Sequence, residues 1–173
     1  MWVPWRMNIR RLLATDSDRF QALRLQALRD SASAFSASYE EECDTSPAAV
    51  AQLLTDRIML GAFVGDDLVG MIGVGREAMR KTRHKGFIRA MYVAPGQRGA
   101  GLAKLLMTEA LAVLEVMDGV RQVTLSVTSG NAAALALYAS MGFRPFGREP
   151  DALLIDGVLY EDTHMVRYLA DGA

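Results

Sequence analysis

Two stretches of this 173-residue chain hold residue types suited to gripping a large anion and working on something attached to it. The first is Met91-Tyr92-Val93-Ala-Pro-Gly-Gln-Arg98-Gly99-Ala100-Gly101-Leu102-Ala103. Its apolar start reads as a strand ending at Val93, Pro95-Gly96 breaks the strand, and a helix opens inside the glycine-rich turn. The first turn of a helix presents backbone N–H groups with no intrahelical partner, at the positive end of the helix dipole. Gly99 and Gly101 have no Cβ, so the backbone there can take positive φ and approach a bulky anion such as a pyrophosphate. Arg98 adds a formal cation at the mouth. The spacing excludes two familiar phosphate loops. Gly101 is followed by Leu-Ala-Lys104 rather than Gly-Lys-Ser/Thr, and Lys104 stands where a dinucleotide fingerprint needs a third small residue. A tight strand-to-helix turn with no ligand remains the plain alternative.

The second stretch is Asn131-Ala-Ala-Ala-Leu-Ala-Leu-Tyr138-Ala-Ser-Met-Gly142-Phe143. Asn131 is a natural N-cap, and Gly142 a natural stop before the next strand. Residues i and i+7 share a helix face, so the Asn131 and Tyr138 side chains can line one wall of a cleft. Asn131 as a cap alone and Tyr138 as a core filler are the simpler readings.

Together the two stretches resemble the GNAT superfamily of N-acetyltransferases. Arg98-Gly-Ala-Gly101-Leu-Ala103 matches that family's Q/R-x-x-G-x-G/A motif, and Asn131 through Phe143 matches its N-x-x-A-x-x-L-Y-x-x-x-G-F stretch. The likeness extends from about Asn8 to Leu169. It implies acetyl-CoA as cosubstrate, lying in a V-shaped opening between the strand ending at Val93 and the strand ending at Val127. Backbone groups of Met91 and Val93, on either side of Tyr92, would pair with the pantetheine arm. Amides from Arg98 or Gly99 through Ala100, Gly101, Leu102 and Ala103 would hold the pyrophosphate. Asn131 would bond the cofactor near its pantetheine, and Tyr138 would protonate the departing sulfur as general acid.

Acetyl transfer to an amine needs a free nitrogen lone pair. An alkyl amine of pKa ≈ 10.4 is only ~0.1% neutral at pH 7.4, a deficit of about 4 kcal/mol that a base or a dry site must supply. Ribosomal-protein N-terminal acetyltransferases of the superfamily resemble one another in a Leu-Glu-Val strand whose Glu is the base; here Leu125-Ser126-Val127 stands instead. That weakens a protein N-terminus as acceptor. Glu41 and Glu42, in the acidic connection Ser38-Tyr-Glu-Glu-Glu-Cys-Asp44, are the acceptor-side carboxylates of first choice, with His84 and Glu161 or Asp162 behind them. A merely solvated acidic loop is the alternative, and His84 and His164 read as structural. Cys43 as an acyl carrier is disfavoured, since acidic neighbours raise a thiol's pKa. The expectation is N-acetyl transfer to an amine of a small molecule or peptide by direct attack in a ternary complex. A non-catalytic acyl-CoA-binding module or sensor is the competing reading.

The elements that must position these groups follow from periodicity. Strands are expected at 7–13, 60–64, 68–74 (after a Gly65-Asp66-Asp67 turn), 86–93, 120–127, 143–147 and 158–169. Helices are expected after Thr15-Asp16-Ser17-Asp18, from Pro47 to Ile58, from about Gly99 to Met117 with Leu102, Leu105, Leu106, Glu109, Val113 and Met117 on one stripe, and from Asn131 to Met141. Strands bracketing helices make an α/β (α+β) fold. The resemblance sharpens it to a mixed, mostly antiparallel central sheet splayed into a V and flanked by about four helices. One domain is expected over residues 7–170, with 1–6 an N-terminal extension.

Composition sets the outer bounds. Apolar residues are 51% and charged residues 23%, a globular mixture. With 19 Lys plus Arg against 20 Asp plus Glu, the net charge of −1 offers no cationic surplus for nucleic acid. One cysteine excludes an intrachain disulfide or a cysteine-rich metal site, and no metal is expected. No run approaches the ~20 apolar residues of a membrane helix, and the opening residues lack a signal-peptide pattern, so a cytoplasmic protein with no membrane partner is expected. Trp2, Trp5 or the final strand could support a homodimer.

Overall fold

The computed structural model describes residues 7–169. The proposed extension at 1–6, with Trp2 and Trp5, and residue 170 lie outside them. The chain forms a seven-stranded sheet ordered β1-β2-β3-β4-β5-β7-β6, built from β1 (Met7–Arg11), β2 (Ile58–Val64), β3 (Asp67–Arg76), β4 (Lys85–Val93), β5 (Gln122–Thr128), β6 (Arg144–Ile155) and β7 (Val158–Tyr168). Every neighbouring pair is antiparallel except β4–β5. The helices are α1 (Ser17–Asp30), α2 (Tyr39–Glu42), α3 (Pro47–Asp56), α4 (Leu102–Glu115) and α5 (Ala132–Ser140). The expected mixed sheet is therefore present. The fifth helix is the single turn α2, formed where the sequence shows only an acidic connection.

The parallel pair positions the site. β4 and β5 are in register only at Lys85–Gln122, Gly86–Val123 and Phe87–Thr124. Beyond Phe87 they part, and the sheet opens as a V. A bulge adds to this: Arg89 pairs with Gly73 and Tyr92 with Met71, so Ala90 and Met91 together oppose the single residue Ile72. Ala90 is held at φ 53°, an uncommon conformation for a residue with a Cβ.

Two cores hold the V open, one on each face. On one face α4 buries Leu102, Leu106, Met107, Ala110, Leu111 and Leu114 against Ile72, Ile88, Val123, Leu125 and Met165. The buried stripe of α4 differs from the expected one. Leu105 is 45% exposed and Glu109 also faces solvent, because the sheet contacts a band wide enough to take two adjacent positions per turn. On the other face α1 and α3 pack Phe20, Leu23, Leu28, Val50 and Leu54 onto Met59, Phe63, Met71 and Tyr92. These helices cover β1–β4, and the short 3-10 turn Ala32–Ala34 after α1 reaches β5 and β6.

Several boundaries move. α3 stops at Asp56, so Ile58 belongs to β2. The β2–β3 turn is Gly65-Asp66 alone, since Asp67 pairs with Val64. α4 begins at Leu102, with Gly101 as its N-cap. β6 is much longer than 143–147: it absorbs Pro150 and Asp151 in an irregularity between Glu149 and Leu153, then meets β7 across an Asp156-Gly157 turn. Proline and a positive-φ aspartate hid this strand, as both are tolerated where the ladder is interrupted.

Candidate active site

At the tip of β4 the chain makes one 3-10 turn (Pro95–Gln97) and enters α4 through Gly99 and Gly101, at φ 82° and 79°. The amide of Gln97 donates to the Ala94 carbonyl (2.9 Å) and that of Arg98 to Pro95 (3.2 Å); the next paired amide is Leu105, on Gly101 (3.1 Å). Between them, the amides of residues 99 through 104 have no protein acceptor among the described residues. A Cβ placed on Gly99 or Gly101 would meet no atom within 4 Å, so the space above them is open. This is a row of unpaired donors at the positive end of a 14-residue helix.

Arg98 departs from expectation in its side chain, and of the two expected starts of the amide row the structure leaves Gly99. The Arg98 amide is spent on Pro95, and its guanidinium turns back into the fold. Nε donates to the Val93 carbonyl (2.9 Å) and Nη2 pairs with Asp30 (2.6 Å). That pairing holds the Asp30 carboxyl below its ordinary pKa. The Tyr92 hydroxyl donates to the same carboxylate (3.2 Å), and its ring packs in the core. Arg98 and Tyr92 side chains thus fasten the glycine loop to the end of α1. Tyr92 pairs with Met71 and the Ala94 amide bonds the Val69 carbonyl. Ladder alternation therefore turns the polar groups of Val93 toward the parted β5, while Met91 lies in the bulge beside them.

Asn131 caps α5: its Oδ1 accepts from the Ala134 amide (3.1 Å), leaving the side-chain NH2 as free donors. Tyr138 is 7% exposed, anchors α5 in the core and meets Phe143 edge-on (centroids 6.2 Å). It is at once core filler and cleft wall. Its hydroxyl has no protein partner among the described residues, and burial pushes its pKa up to about 12. At neutral pH it is a protonated donor. Met91, Val93, the glycine turn, Asn131 and Tyr138 all line one cleft of about 1620 Å³. That exceeds the ~300–1,000 Å³ of an ordinary ligand pocket and leaves room for a long ligand and a second molecule.

The acceptor side rearranges the candidates. Glu41 closes a capping box at α2, accepting from the Ser38 amide (2.7 Å) and hydroxyl (3.0 Å), which lowers its pKa; it is exposed and outside the cleft. Glu42 borders the cleft but is held by Arg24 through two 2.8 Å bonds. Neither carboxylate of first choice is free to serve as a base. Cys43 and His84 do not line the cleft, and Glu161 is tied to Ser129 (2.9 Å) and Arg148 (3.4 Å). Asp162 is different. It pairs with Thr128 at the open end of β5, its Oδ1 is buried without a partner, and burial raises its carboxyl above the ordinary 3.8.

Beside Asp162 lies an arrangement that sequence reasoning set aside. Ser126 on β5 faces His164 on β7, with Oγ 2.7 Å from Nδ1, and His164 Nε2 lies 3.1 Å from Glu149 Oε2 on β6. Ser126, Asp162 and His164 all border the cleft. Three strands supply these groups in an order no sequence pattern announces. Among the described residues, no group of three His, Cys, Asp or Glu is placed to hold a metal ion.

Comparison with known proteins bears on the family and the fold. Residues 10–143 match the model of the acetyltransferase (GNAT) family. The chain belongs to that family. As a GNAT protein it overlays an acetyltransferase of the GNAT family from Streptococcus pneumoniae with a TM-score of 0.87, at 20% identity, over 95% of this chain and 100% of that one. A phosphinothricin acetyltransferase from Sinorhizobium meliloti, solved in complex with AcCoA, overlays with a TM-score of 0.82 at 19% identity, covering 96% of this chain and 90% of that one. In sequence, 91 residues (53% of the chain) are 37% identical to a mycothiol acetyltransferase from Brachybacterium faecium. The match spans 27% of that protein's length.

Proposed function

We propose that this GNAT protein transfers the acetyl group of acetyl-CoA to an amine of a small molecule or peptide, by direct attack with both substrates bound. One observation carries the reading: a run of unpaired amides, residues 99 through 104, at the positive end of α4 and at the mouth of the parted β4 and β5. That row fits a pyrophosphate, and Gly99 and Gly101 leave the space for it. The Val93 N–H, left free while its carbonyl accepts from Arg98, suits a pantetheine arm, which is itself built of amides, and the free NH2 of Asn131 can donate to it. Acetyl-CoA brings an acyl group on a thiol leaving group.

The chain's own groups supply the rest. The buried Tyr138 hydroxyl, protonated up to about pH 12, is a proton donor for the departing sulfur. A backbone amide at the Ala90–Met91 bulge, drawn off the ladder, is suited to an oxyanion. Asp162, with a buried unpaired oxygen on the opposite wall, offers the counter-charge that an ammonium needs to enter. Arg98 orients the loop through Asp30 and Val93 and leaves the anion to the amides.

The test begins with acetyl-CoA alone. At 100 times Kd, binding to the folded state adds about 2.7 kcal/mol of stability; no thermal shift at millimolar acetyl-CoA would remove the cosubstrate. Thiol release is then followed with polyamines, amino acids, aminoglycosides and peptides. Turnover with any of them supports the enzyme. Tight acetyl-CoA binding with no turnover across the panel would replace it with an acyl-CoA sensor.

A further inference from the structure

Glu149, when ionised, can only accept a hydrogen bond, so the nitrogen facing it, Nε2 of His164, carries the ring proton of a neutral imidazole. Nδ1 is then the acceptor, and the Ser126 hydroxyl donates to it at 2.7 Å. With its proton directed at His164, Ser126 Oγ keeps its lone pairs for a donor arriving in the cleft it borders. The charged groups facing His164 are Glu149 from β6 and Asp162 from β7; β5 contributes Ser126, and the Phe146 ring lies alongside (6.0 Å). Asp162 and His164 alternate on one face of β7, so an ammonium drawn to Asp162 arrives one side chain from the serine.

We infer that Ser126, His164 and Glu149 form the proton relay that deprotonates the acceptor amine, with Ser126 as the catalytic residue and His164 and Glu149 as positioning residues acting through it. This rests on the acetyltransferase reading above. In the step, an N–H bond of the ammonium breaks as its proton passes to Ser126 Oγ, while the serine's own proton passes to Nδ1. The imidazolium sits against Glu149 and later releases that proton to solvent. The freed nitrogen lone pair forms the C–N bond to the acetyl carbonyl, the C–S bond breaks, and its electron pair leaves on sulfur. Tyr138 protonates the sulfur and recovers a proton from the acylated nitrogen, which still carries one too many. The sum is ammonium plus thioester giving amide, thiol and one proton. Ser126 alone could not do the work of a carboxylate base; with an imidazole and a carboxylate behind it, it can.

The kinetic test uses whichever amine of the panel the wild type turns over best. Ser126→Ala and His164→Gln should each lower kcat about 10²-fold with the affinity for acetyl-CoA unchanged, and the double variant should lose no more than either single. With the relay gone, the rate should follow the neutral amine in solution and climb about tenfold per pH unit between pH 7 and 9, more steeply than wild type. Wild-type rates and pH profiles in both single variants, with turnover intact, would overturn the relay and leave the acetyltransferase standing. So would radiolabel from acetyl-CoA trapped covalently on Ser126, which would make the serine a nucleophile instead. A readout free of turnover is the long-range proton–nitrogen NMR correlation of His164 in the wild-type protein. The relay requires the Nε2–H tautomer; the Nδ1–H tautomer would overturn it even if no amine of the panel were accepted.

Discussion

Tyr138 lies edge-on to Phe143, and the α5 helix that ends between them is anchored by that contact while the phenol hydroxyl is left without a protein partner. The packing that buries the ring thus extends the range over which the hydroxyl stays protonated, from about pH 10 to about 12. Tyr138→Phe should retain the fold and acetyl-CoA affinity and lower kcat about 10²-fold, the lower end of general-acid effects because a thiol is already a fair leaving group. Since burial raises the hydroxyl's pKa to about 12, kcat should show no loss of this acid up to pH 11. A falling limb near pH 10 in the wild type, absent from the phenylalanine variant, would show that the hydroxyl ionises as an ordinary tyrosine does.

Gly101 caps α4 at φ 79° beneath the row of free amides. Gly101→Ala places a Cβ in a left-handed conformation, at roughly 1–2 kcal/mol, on the side where the ligand is proposed to lie. Acetyl-CoA affinity measured by calorimetry should fall at least tenfold. An unchanged Kd would mean that the ligand does not approach this glycine.

Asp162 is a charge held where charge is disfavoured. Because its folded pKa is raised above 3.8, its ionised form costs stability at neutral pH, and the cost disappears as pH falls to where folded and unfolded forms are both protonated. Asp162→Asn should therefore raise the melting temperature at pH 7 and lose that advantage in acid. It should also raise KM for the amine roughly 10- to 100-fold, the worth of a lost charge-assisted contact. A lower melting temperature at pH 7 with KM unchanged would assign Asp162 to structure and remove it from acceptor binding.

Asp16 behaves in the opposite sense. Arg10 holds its carboxylate through bonds of 2.7 and 2.8 Å, and the Leu13 amide adds a third at 2.9 Å, so its pKa is depressed. That stability is present above the ordinary 3.8 and is lost as pH falls below it. Asp16→Asn should cost about 2 kcal/mol at pH 7, and the two melting curves should draw together as pH falls progressively below the ordinary 3.8. An equal difference at pH 7 and pH 2.5 would show that charge contributes nothing there.

Local chemistry made part of this protein readable in one dimension. A glycine that must take positive φ, a serine or asparagine that caps the next turn, and a tyrosine seven residues along one helix are short-range requirements. The glycine turn at Gly99–Gly101 and the Asn131–Tyr138 helix are accordingly where the sequence puts them. The mixed sheet was legible for the same reason, apart from β6, whose Pro150 and Asp151 imitate a loop. The free amides are likewise a property of any helix start. What those amides open onto, and which side chains stand across from them, was settled at long range. The V exists because β4 and β5 stop pairing after Phe87 and Thr124. Glu41 and Glu42 looked available only until a cap and Arg24 claimed them. Ser126 looked inert until the β5–β7 register set His164 against it and the β6–β7 register brought Glu149 behind. Registers between strands depend on turns, bulges and the burial of opposite faces acting together, so side chains distant in the chain become neighbours only once the whole sheet has formed.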